Sequence, residues 1–163
     1  MRRFLLLRGW QMRDLHVEKP RPGHGSGEQF VRGEFPHQLT VYRSQSRRCA
    51  ICLIVCIDAD SLSVEERMKS LVKACADGGV PFREPDEQVC FAVPKRNIET
   101  WLAYLRGETV DESAVYPKYD CQSRCQHDVE RLDAMCRQKK STPVPPPSLL
   151  HACEEFRRFR LHR

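Results

Sequence analysis

The segment that most constrains this chain is Ile51-Cys52-Leu53-Ile54-Val55-Cys56-Ile57-Asp58-Ala59-Asp60, in which seven apolar residues run into two carboxylates two positions apart. A continuous apolar run rich in β-branched residues suits a strand buried on both faces, the pattern of a parallel sheet in an α/β protein. Such sheets bind ligands beyond the carboxyl ends of their strands, where Asp58 and Asp60 stand. Residues i and i+2 of a strand project to one side, so the pair is a candidate to hold one hard cation, Mg²⁺ or Mn²⁺. The structural alternative is that Asp60 caps the next helix and Asp58 merely ends the strand.

The flanking segments supply the rest of an α/β pattern. Arg2 to Trp10 reads as the tail of a helix stopped at Gly9, and Asp14 to Glu18 as a short strand. Pro20 to Gly27 is a loop by composition. Ser26 with Gln29 starts a helix expected to end near Pro36, followed by a second helical piece to about Ser44. After the strand Ile51 to Ile57, Ser63 and Glu66 form a capping box for a helix that Gly78-Gly79 stops. Its apolar face carries Val64, Met68, Leu71, Val72 and Cys75. Val89 to Val93 is the second buried strand, ended by Pro94, and Ile98 to Leu105 the helix behind it. A helix from about Arg124 to Gln138, a stiff Pro-rich spacer at 141–147 and a last basic helix from Leu149 to about Arg160, capped by Ser148, complete the chain. Alternating strands and helices predict a mostly parallel sheet with flanking helices, a Rossmann-like three-layer arrangement. The expected division is an α/β domain over 1–118 and a helical extension over 119–163.

With 163 residues, 40% hydrophobic and 30% charged, the chain is long enough for one cored domain. A net charge of +5 permits a nucleic-acid partner without requiring one. No segment approaches the roughly 20 apolar residues of a membrane helix, and the short apolar run after Arg2-Arg3 does not make a signal peptide. The nine cysteines are odd in number and several fall at apolar strand or helix positions, which predicts reduced thiols and a cytoplasmic protein.

Three further groups bear on chemistry. Gly23-His24-Gly25-Ser26-Gly27 before a helix is a candidate anion cradle, or else a plain loop, since it fits neither nucleotide fingerprint. Cys49 and Cys52 have zinc-type spacing, with Cys121, Cys125 and His127 as conceivable partners. Cys52, however, lies inside the apolar run, where residues three apart face opposite ways. Pro94-Lys95-Arg96-Asn97-Ile98-Glu99-Thr100-Trp101 carries more weight, because it follows the second buried strand and lies beside Asp58 and Asp60 if the strands are neighbours. Glu99 would then reach the same cation, while Lys95 and Arg96 would contact a phosphate. The alternative makes Glu99 a helix-dipole partner and Lys95-Arg96 a solvated loop.

Taken together, the Asp-x-Asp strand, the helix Val64 to Ala76 and the "VPKRNIETW" string resemble the Toprim fold of topoisomerases, primases and OLD-type nucleases, in particular small Toprim-like proteins of bacterial anti-phage systems. The resemblance covers roughly residues 1 to 105. It implies a divalent-metal role for Asp58 and Asp60, whereas Glu99 is added on geometric grounds. That family opens with a strand bearing a Glu, and this chain begins in what reads as the helix after it, so the expectation is either a start codon placed too late or a shortened, inactive form; Glu28 and Glu34, after the Gly-rich loop, are poor substitutes for the missing Glu. The resulting expectation is a Mg²⁺- or Mn²⁺-dependent nuclease-like protein of a defence or mobile-element context, with Asp58, Asp60 and Glu99 catalytic and Lys95 and Arg96 on phosphate. Its partners would be DNA or RNA, a partner ATPase and further copies of itself, with no membrane. The competing class is a non-catalytic binding subunit that docks on an ATPase or on nucleic acid.

Overall fold

A computed structural model describes residues 1–21, 26–118, 125–138 and 144–158. The glycines of the candidate anion cradle at 23 and 25, Cys121, Arg124, the spacer up to Pro143 and the expected end of the last helix at Arg160 lie outside the described residues.

The fold is α/β, with six α-helices and a two-stranded parallel sheet among the described residues. In chain order these are α1 (Arg2–Leu7), α2 (Gly27–Ser46), β1 (Leu53–Cys56), α3 (Val64–Asp77), β2 (Val89–Ala92), α4 (Ile98–Leu105), α5 (Gln126–Arg137) and α6 (Pro147–Phe156). β1 pairs with β2 in the register Leu53 to Val89 through Cys56 to Ala92. No helix among the described residues is long and apolar enough to cross a membrane.

Strand alternation divides the core in two. Val55, Ile57 and Ala59 join Val89, Phe91 and Val93 against Phe35, Leu39 and Tyr42 of α2 and Leu71 and Cys75 of α3. Cys90 and Ala92 join the other cluster, with Phe4 and Leu5 of α1, Trp101 of α4, Cys136 of α5, and Leu149, Ala152, Cys153 and Phe156 of α6. Each fully buried Leu, Phe or Val side chain contributes about 1.5–3 kcal/mol. α1 is therefore well anchored: Phe4 packs on Phe156 with ring centroids 4.8 Å apart, and Arg8 Nε donates to Asp133 at 2.7 Å.

Several expected elements differ. Asp14 to Glu18 is not a strand; a 3-10 turn at Met12–Asp14 is followed by irregular chain. α2 runs on through Pro36 as one helix of 20 residues, where an ending was expected. A mid-helix proline removes one hydrogen bond, and here packing overrides that loss, because Phe35 and Leu39 on either side of it are 2% and 0% exposed. Gly78 lies against this bend: a Cβ there would sit 3.3 Å from the Pro36 Cβ, so the end of α3 approaches α2 closely.

Ser148 is not the cap of α6. It is the second helical residue, and its N–H and hydroxyl both donate to the Glu112 carboxylate while its Oγ accepts from Trp101 Nε1 at 2.8 Å. A carboxylate from the loop after α4 thus accepts from the first-turn N–H of Ser148, which the helix itself leaves without a partner. The thiol expectation is also corrected. Cys136 and Cys153 form a disulfide with their Cα atoms 4.8 Å apart, because the apolar stripes of α5 and α6 bring them face to face. The other six described cysteines are free.

Candidate functional site at the carboxyl ends of the strands

The strand pairing extends past the regular ladder: Ile57 N–H donates to Ala92 O at 3.1 Å and Ala59 N–H to Pro94 O at 2.8 Å. Ile57 and Ala59 therefore stay buried, and the alternating residues Cys56, Asp58 and Asp60 are exposed on the other side. The chain then turns sharply. Asp60 adopts a left-handed φ of 58°, a conformation Asp tolerates better than most residues, and Leu62 N–H closes the turn on Ala59 O at 3.1 Å.

The segment after β2 holds this turn from one side. Lys95 Nζ donates to Leu62 O and, at 3.4 Å, to Asp60 O. Arg96 Nη1 donates to Asp60 Oδ1 at 3.1 Å, and Arg96 Nε is buried without a partner among the described residues. Both basic residues expected on a phosphate are thus engaged with the Asp60–Leu62 turn. Asn97 precedes α4 and ties it to the following loop, donating to Tyr116 O at 2.9 Å and accepting from Thr100 Oγ1 at 3.1 Å. Glu99, in the first turn of α4, is half-buried.

From below, Arg67 of α3 grips the same turn. Its side chain is 7% exposed, its Nη2 donates to Ala59 O at 3.2 Å, and its Nη1 pairs with the Glu28 carboxylate at the start of α2. Arg32 adds a second cation on Glu28 at 3.0 Å. Sequence reasoning missed Arg67 and weighed Glu28 only as a poor substitute for an absent Glu, not as the partner of Arg67. The available signal was that Arg67, Leu71 and Cys75 recur every four residues on the buried stripe of α3, a place where an unpaired arginine would be costly.

Asp58 has no ion-pair partner among the described residues. Partial loss of solvation, then the charges of Glu99 and Asp60, push its carboxyl above the ordinary range, with Arg67 pulling the other way. The charges of Glu99 and Asp60 thus both act on Asp58, but the three do not make a ready-made chelate: no group of three His, Cys, Asp or Glu side chains is placed to hold a metal ion among the described residues. Cys49 and Cys125 are likewise free, in no such group. No protein-family model, curated protein or solved structure matches the chain.

Proposed function

We propose that the chain is a Toprim-like, cytoplasmic protein of Rossmann-like three-layer build that acts on phosphodiester bonds of DNA or RNA with the help of Mg²⁺ or Mn²⁺. The observation that carries this reading is the exposed Asp58 carboxylate, without an ion-pair partner among the described residues, at the carboxyl end of a parallel strand pair, where the charges of Glu99 and Asp60 add to its own. Mg²⁺ is commonly held by one or two carboxylates, with water and substrate phosphate completing its shell, so a preformed three-ligand cage is not required. Asp58 and Glu99 fit that role, while Asp60 is engaged by Arg96. The cation, when bound, would neutralise charge on a phosphate. Arg96, exchanging Asp60 for a phosphate oxygen, would orient it, and Lys95 and Arg67 would keep the Asp58 turn in place.

Two measurements test this. Millimolar Mg²⁺ is expected to raise the melting temperature, by about 1.4 kcal/mol of stability at ten times the dissociation constant. Asp58→Asn with Glu99→Gln should abolish the shift and any cleavage of single- or double-stranded DNA or RNA. A shift of the same size in the double variant would overturn the assignment. A second reading, a non-catalytic subunit that docks on an ATPase or nucleic acid in a defence or mobile-element context, is favoured by the internal engagement of Lys95, Arg96 and Arg67. Binding of nucleic acid without metal-dependent cleavage would select it.

A further inference from the structure

The two-stranded sheet has two outer edges, and only one is closed. On β2, Phe91 N–H donates to Glu155 Oε2 at 3.1 Å and Val89 O accepts from Arg83 Nη1 at 2.8 Å, so a side-chain pair occupies the place of a third strand. On β1, Leu53, Ile57 and Ala59 turn their N–H groups toward the β2 side, which points the N–H and C=O of Ile54 and Cys56 outward. Among the described residues nothing accepts from or donates to those backbone groups. Ile54 is half-buried and Cys56 exposed, so the edge is reachable.

The charges beside this edge are arranged end to end. Arg47 and Arg48 stand before the strand, exposed and in no ion pair among the described residues; Asp58, likewise exposed and in no ion pair among them, stands after it, followed by Asp60, which Arg96 holds. Antiparallel pairing of two copies about Ile54 opposes Cys56 to the partner's Cys52 and brings the Arg47–Arg48 end of one strand toward the Asp58 end of the other. The two-fold axis repeats each contact. We propose that the open edge of β1 is the interface of a two-fold homodimer, in which two sheets join into one of four strands and each basic end meets an acidic end. The proposal does not depend on the metal or nuclease reading.

Sedimentation equilibrium of the full chain tests it. The mass should rise from 19.0 kDa toward twice that value with concentration, and the short edge implies a transition at roughly 10–100 μM. Cys56→Pro removes an outward N–H at a position where an edge strand accepts proline, and symmetry doubles the loss, so the dissociation constant should rise at least about tenfold. Arg47→Glu with Arg48→Glu changes only exposed residues and should also weaken the dimer, whether or not the proline variant folds. A monomer at every concentration up to about 200 μM, well beyond the expected transition, would overturn the proposal. So would a dimer indifferent to both the charge variant and a folded proline variant, or open-ended association.

Discussion

The edges of β1 and β2 belong to one sheet and are equally short, yet they are treated in opposite ways. β2 is closed by the Arg83–Glu155 pair, whose side chains are 10% and 9% exposed and which also supports Phe91 through a guanidinium 4.8 Å from its ring. β1 ends in an open row of peptide groups bordered by charges of both signs. An unpaired strand edge is a template for another strand, and a small sheet must either cap it or use it. The contrast teaches that closure here depends on long-range side chains rather than on more strands.

Breaking the closed edge should have the largest effect. Glu155→Leu leaves the Arg83 charge buried without its partner and should lower stability by about 3–5 kcal/mol, read from urea unfolding; a loss under about 1 kcal/mol would show that the pair is incidental. Adding Arg83→Met should recover roughly 1–2 kcal/mol of that loss, because the uncompensated charge goes with it. Glu112→Ala removes the carboxylate from the start of α6, the helix that carries Glu155, and should cost about 1 kcal/mol.

At the open edge the effects should be small and differently signed. The Asp58 carboxyl has a folded pKa above its ordinary 3.8, so its contribution is most favourable below that pH and is lost as pH rises through the raised folded value. Asp58→Asn should therefore melt at or above the parent at neutral pH without divalent cations, with the advantage vanishing below pH 3.8. Glu87 behaves oppositely. Burial alone would push its carboxyl up, but bonds from Arg43 Nε at 2.6 Å and from Glu84 N–H hold it low, so its contribution is present above the ordinary 4.5 and is lost as pH falls through the lowered folded value. Smallest of all, Cys56→Ser should change unfolding stability by no more than about 0.5 kcal/mol; a larger loss would mean that the edge is covered after all.

What was legible in the sequence was local. The Ser63–Glu66 capping box, the stripe of Ile98 to Leu105 and the two apolar strands are written in contiguous residues, and α3, α4, β1 and β2 appear where those signals place them. Placement of Asp58 and Asp60 beside Lys95 to Glu99 followed from strand adjacency. Illegible were the features made by distant partners: Glu155 reaching Phe91 across 64 residues, Glu112 reaching Ser148 across 36, and α2 carried through Pro36 by tertiary packing. Arg67 was hidden for the same reason, since its partner Glu28 lies on another helix. Lys95 and Arg96 looked free because a sequence does not show which carbonyls a lysine will find.

The separation of 64 positions between Phe91 and Glu155 also sets a schedule for biosynthesis. At roughly 5–20 residues per second, the ribosome needs about 3–13 s to make Glu155 after β2 has been polymerised, and still longer for it to clear the tunnel. Throughout that interval Phe91 N–H lacks its acceptor and Arg83 its carboxylate, so the β2 edge is only half closed. The chain is then most exposed to strand pairing with its neighbours on a polysome.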